Sequence, residues 1–241
     1  MSSNPYESPS IPTPSRRADE GDATFVSGHG RAICTMVLLG LFAAASLILI
    51  GAYVLQAILL VQVKELGMPP PEGSAEEIIE VLAALVQSVL YLGCVVSFLV
   101  WLYRASRNVH ALDPVGVQHS PGGAIGWWFV PIANFFKPYV VVTEIYRASK
   151  VSADYPGAWK SKPVPDFFGW WWACWLLGVY TTGIVVRLGR GVESLDGRIR
   201  LAWGSAAVTL LMVIAAILAI LVVHSIDRRQ QAGFEAYEGA E

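Results

Sequence analysis

Charge is scarce in this chain, and it is missing where a soluble protein would need it most. Asp, Glu, Lys and Arg make up 15% of the 241 residues, against about 25% in a soluble domain. From Ala32 to Val63 there is no charged residue at all. Too few charges to cover a globule, gathered outside long apolar runs, exclude a soluble fold and predict a polytopic membrane protein. Cysteine is nearly absent too. Cys34, Cys94 and Cys174 each sit inside an apolar run without CxxC spacing, which excludes a disulfide framework or zinc site and leaves small packing residues. Catalytic signatures are missing: no HExxH, GxSxG elbow, Walker A loop or pair of intramembrane aspartates. No two histidines have helical ligand spacing. No enzyme activity, cofactor or metal is therefore expected.

Residues 1–31 are rich in Ser, Pro and charge and offer almost nothing to bury. They predict a disordered tail, because burial cannot offset the entropy of ordering. The tail is too long and polar for a signal-peptide n-region, so the first span is expected to stay in the mature protein. The membrane domain is expected over 32–226, with spans at about 33–63, 78–103, 167–187 and 201–224, and a polar C-terminal tail over 227–241. The loop "KELGMPPPEGSAEE" stops the first helix with three prolines. Ser74 and Glu77 then fit a capping box for the second. Trp170, Trp171, Trp172 and Trp175 open the third span as an interfacial belt would. Small residues on the fourth (Gly204, Ser205, Ala206, Ala207, Ala215, Ala216, Ala219) permit close helix contact.

With four spans and the N-terminus inside, twelve of the 17 Lys and Arg residues fall on the cytoplasmic side and five outside, as the positive-inside rule favours. That places both termini in the cytoplasm. A fifth span would erase most of the bias.

The stretch "SPGGAIGWWFVPIANFFKPYVVVTEIYRAS", Ser120 to Ser149, is apolar but interrupted. Tyr103-Arg104-Ala105-Ser106 closes the second span, and Tyr146-Arg147-Ala148-Ser149 closes this stretch. If the repeat marks one interface, the chain enters and returns to the same face. Ser120 and Pro121 supply an N-cap and first-turn proline, and Pro131 sets the break at Val130. Gly122 to Val130 and Asn134 to Tyr146 are each about half a bilayer long. A re-entrant helical hairpin over about 121–147 fits. The alternatives are an amphipathic pair lying flat on the interface, or a crossing, which Lys137 opposes. The fold class is thus all-α: four transmembrane helices plus a proline-broken re-entrant or interfacial hairpin.

The order "WLYRASRN", "SPGGAIGWWFVPIANFFKPY", "EIYRAS" and a Trp-rich span resembles the bacterial membrane family called domain of unknown function 4328, over about residues 35–226. The resemblance implies a multi-span fold and carries no catalytic residues over. Gly123 departs from the SPGW form of its motif.

The candidate polar site is the helix break, where freed carbonyls around Pro131, with Asn134 and Lys137, could hold an ion or small solute. Alternatively Asn134 caps the second half-helix. Glu144 and Arg147 share a helix face, and Arg104 or Arg107 could reach Glu144 as a structural clamp. "VSADYPGAWKSKP" suits anionic lipid heads better than nucleic acid. The expected partners are the lipid bilayer and a second copy or another membrane protein. The expected role is a non-enzymatic scaffold in a bacterial cytoplasmic membrane, with an oligomeric channel or transporter as the alternative.

Overall fold

A computed structural model describes residues 25–68, 74–112, 116–149, 158–192 and 194–238. The described residues form helices and turns with no strand: α1 (His29–Glu65), α2 (Ser74–Leu112), α3 (Pro121–Gly126), α4 (Lys137–Ala148), α5 (Phe167–Gly189) and α6 (Leu195–Glu238). Four of them, α1, α2, α5 and α6, are long and apolar enough to cross a membrane, and this is a membrane protein. The tail before residue 25 and the Ser74–Glu77 side chains lie outside the described residues.

The four long helices run up and down, so that α1 begins and α6 ends at the same end of the bundle, here the terminal end. Proline alone does not stop α1. Gly67 takes φ +65°, and Gly67 N–H donates to the Lys64 carbonyl while Met68 N–H donates to that of Val63. This is a Schellman stop, which a left-handed glycine permits. The α1–α6 pair has the most extensive contact in the bundle, because small residues line both sides. Ala32, Ala43 and Ala57 are buried on α1, and Ala202, Ala206, Ala215, Ala216 and Ala219 on α6. In lipid, close backbone approach of this kind drives helix association. Thr35 Oγ1 meets Ser97 Oγ at 2.7 Å, and Gln87 Nε2 donates to Ser46 Oγ at 2.6 Å, tying α2 to α1.

Several helix limits lie beyond the spans expected from the sequence, α6 for instance beginning at Leu195. α1 starts at His29, inside the expected tail. α2 continues past Tyr103 to Leu112, and α6 past His224 to Glu238. The reason is packing. Ala105, Ser106, Asn108 and Val109 of α2 and Ile226, Asp227 and Gln230 of α6 are buried, so both helices continue as long as there is a partner to bury against. At this level Gln230 donates through Nε2 to the Ala105 carbonyl (2.8 Å) and Ser149 Oγ (3.2 Å), and its Oε1 accepts from Asn108 Nδ2 (3.3 Å). α2, α4 and α6 therefore meet in one polar layer. His29 Nδ1 and Gln231 Nε2 both reach Asp227 Oδ2, at 2.7 and 2.9 Å, which adds α1.

Candidate functional site

The Ser120–Ser149 segment leaves the terminal end of the bundle and returns to it. Ser120 caps α3, its Oγ accepting from Gly123 N–H at 3.1 Å, with Pro121 in the first turn. At the other arm Ser149 joins the Gln230 layer. Ala105-Ser106 and Ala148-Ser149, the two halves of the sequence echo, thus lie at one level, as a returning hairpin requires.

The descending arm is shorter than expected. α3 ends at Gly126 and a 3-10 turn covers Trp127–Phe129. Val130 is extended (φ −92°, ψ 112°), the conformation that a following proline imposes. A second 3-10 turn, Ala133–Phe135, leads through Phe136 into α4. The break therefore spans several residues instead of one.

Most carbonyls at this break are taken. Val130 O accepts from Asn134 N–H at 2.8 Å, Ile132 O from Phe135 N–H at 3.3 Å, Ala133 O from Phe136 N–H at 3.0 Å, and Phe136 O from Val140 N–H at 3.2 Å. Phe135 O accepts from the Trp172 indole Nε1–H at 3.0 Å. Asn134 does not cap α4: Phe136 holds the N-cap position without a side-chain bond. What remains is Asn134 Oδ1, buried with no hydrogen-bond partner among the described residues. Lys137 Nζ lies 5.2 Å from the centroid of the Trp127 ring, a cation–π contact that gives its charge a partner inside the hairpin.

The tryptophans of α5 are not an outward belt. Trp170 is exposed, but Trp171 and Trp172 are buried, and Trp172 and Trp175 face Trp128 of the hairpin. Positions 171, 172 and 175 share one helical face. Trp128 meets Trp172 edge-on at 5.7 Å, Trp175 at 5.4 Å and Phe98 of α2 at 5.5 Å. Deeper along α5, Phe135 stacks on Tyr180 at 5.1 Å with an interplanar angle of 10°. Trp172 and Tyr180 are five and thirteen residues past the start of α5. The hairpin tip therefore sits about 8–20 Å along that helix. The tip itself is apolar and bare: Phe129, Ile132 and Phe136 are at least two-thirds exposed.

The expected clamp is replaced by a different one. Glu144 is buried on α4, and its carboxylate accepts from Gln118 N–H at 2.6 Å and is bonded to His119 Nδ1. Arg147 Nε donates to the Lys162 carbonyl at 3.0 Å, Arg104 Nε to the Val26 carbonyl at 3.0 Å, and Arg107 is exposed. The three arginines and Glu144 are thus not gathered into one clamp. Glu144 instead fastens the two arms of the hairpin where they leave the bundle. His119 was legible only indirectly: a carboxylate inside the apolar run Val141–Tyr146 needs a nearby donor. The ring of Tyr146 carries a second contact, with Arg229 Cζ at 3.7 Å. Among the described residues no three His, Cys, Asp or Glu side chains come together as a metal site would require.

Comparison with known proteins finds no curated protein and no solved structure that matches this chain. A family model described as Domain of unknown function (DUF4328) matches residues 70–228, which covers the α2 span, the hairpin, α5 and α6 as far as Arg228 and leaves α1 outside. The match runs over more than half of the chain and includes every element of the hairpin and its tryptophan cradle, and the chain belongs to this DUF4328 family.

Proposed function

We propose that this chain is a non-enzymatic scaffold of a bacterial cytoplasmic membrane, with both termini in the cytoplasm and the hairpin inserted from that face. The observation that carries the reading is the closure of the helix break. Most of its carbonyls are hydrogen-bonded within the chain and Lys137 is partnered by Trp127. The interior beside it is a void of about 90 Å³ with apolar walls such as Phe42, Phe98, Trp128, Trp175 and Ala216. A permeation path needs polar groups facing water at this depth. Material for assembly is abundant. Val81, Leu85, Val89 and Leu92 of α2 are more than half exposed. Beside them an apolar groove between α1 and α2, lined by Ile48, Leu49, Leu82 and Gln87, holds Gln87 Oε1 buried without a partner. A helix from a second copy or another membrane protein that brought a donor there would satisfy it.

Crosslinking in native membranes through a cysteine at Leu82 tests this. A discrete dimer or heteromeric adduct is expected, and recovery of monomer alone would contradict the scaffold. The second reading, an oligomeric channel or transporter, is favoured by the orphaned Asn134 Oδ1. Solute flux into reconstituted vesicles that falls with Asn134→Ala or Lys137→Ala would support it over the scaffold.

A further inference from the structure

At the terminal end, the Arg104 guanidinium has two other arginines near it and no bonded carboxylate among the described residues. Arg31 and Arg107 lie within Coulombic range of Arg104 and repel it. Arg104 is 9% exposed. Its Nε is spent on the Val26 carbonyl, and its Nη2 is buried with no partner among the described residues. The guanidinium lies against the start of α1: a side-chain carbon added at Gly28 would meet Arg104 Cγ at 3.5 Å. That helix end adds to the positive field. Its first turn has no acidic residue and no side-chain cap at Gly28, and it carries Arg31, a cation at the dipole's positive end. Two carboxylates of this end are engaged elsewhere, Asp227 with His29 and Gln231 and Glu144 with His119 and the Gln118 amide. A buried guanidinium among like charges requires an anion, and the planar fork of arginine suits a phosphate.

We propose that Arg104, with Arg31 and Arg107, holds the phosphate of an anionic phospholipid where α1 begins beside the last turns of α2. Phosphate chemistry alone would admit a free ion, but the adjacent surface favours a lipid. The Thr35–Ser97 bond sets α1 and α2 level about two turns into the bundle. At that level Ile33, Val37, Val96 and Val100 are exposed, an apolar strip along which the acyl chains continue from the headgroup. This assignment is independent of the scaffold reading and rests only on the chain's lying in a membrane.

The test uses the purified full chain in nanodiscs of phosphatidylcholine, of phosphatidylcholine with phosphatidylglycerol, and of phosphatidylcholine with inorganic phosphate added. Native mass spectrometry counts retained lipid and thermal unfolding reports stabilisation. Retention of phosphatidylglycerol over phosphatidylcholine and a raised Tm are expected for the native chain. The double variant Arg31→Gln/Arg107→Gln, altered only at exposed positions, is expected to lose about tenfold or more in retention. Arg104→Gln is expected to match or exceed that loss if it folds. Equal retention of both lipids, or an unchanged double variant, would overturn the proposal. A Tm rise reproduced by inorganic phosphate alone would overturn the lipid assignment.

Discussion

Replacing Gln230 by leucine removes the residue that ties three helices together. Its side chain is 4% exposed and takes part in three interhelical hydrogen bonds, to the Ala105 carbonyl, to Ser149 Oγ and from Asn108 Nδ2. A hydrogen bond contributes about 0.5–1.5 kcal/mol in a folded protein, and interhelical bonds in membranes average about 0.6 kcal/mol. The three together therefore give roughly 2–3 kcal/mol. Asn108 is 1% exposed, and its Nδ2 would be left without that acceptor, at a further cost of about 1 kcal/mol or more. Gln230→Leu is expected to destabilise the chain by roughly 2–4 kcal/mol, read from equilibrium unfolding in detergent by tryptophan fluorescence. Adding Asn108→Leu removes the orphaned amide together with its partner, so the double variant should cost about 1 kcal/mol less than the two single losses combined. A single-variant loss under about 0.5 kcal/mol, the scale of an ordinary surface change, would refute the idea that this polar layer holds the helices together. So would strictly additive losses.

Other perturbations test the hairpin. Trp172→Phe keeps the ring but removes the bond to the Phe135 carbonyl; a loss of about 1 kcal/mol is expected, with faster hydrogen exchange confined to residues 130–137. Glu144→Gln weakens the fastening to His119 and should raise exchange at residues 118–123, whereas Arg107→Gln, on an exposed side chain, should not. Gly178 faces Met212 across the α5–α6 contact, and an added Cβ there would press on the Met212 sulfur. Gly178→Ile is expected to cost about 1–3 kcal/mol in the same unfolding assay, and Gly178→Ala less, because methionine can move aside.

The spans were legible because lipid demands long apolar runs, and nothing else in the chain supplies them. The hairpin was legible from proline chemistry and the repeated Tyr-Arg-Ala-Ser, both local signals. Helix ends were not. Arg104 and the Arg228-Arg229 pair look like membrane edges, yet α2 and α6 continue past them because Asn108 and Gln230 find partners that are distant in sequence. The tryptophans of α5 misled for a related reason. Composition suggests an aromatic belt, while the shared face of Trp171, Trp172 and Trp175 becomes meaningful only once Trp128 is known to sit against it. Glu144 posed the same difficulty, since His119 lies 25 residues away and no spacing rule links them. The family motif was readable in the central block, but its reach was overestimated at the first span, which the matched region omits.

The sidedness of the hairpin is open to one direct measurement. Cys34, Cys94 and Cys174 are free, so a background lacking them can carry single cysteines at the exposed positions Leu66, Arg107, Lys160 and Arg190. Labelling with an impermeant thiol reagent, in intact cells and then in opened membranes, should group 107 with 160 and 66 with 190, on opposite sides. Labelling of 107 and 160 from opposite sides would mean that the intervening segment crosses the membrane, and the hairpin would have to be abandoned.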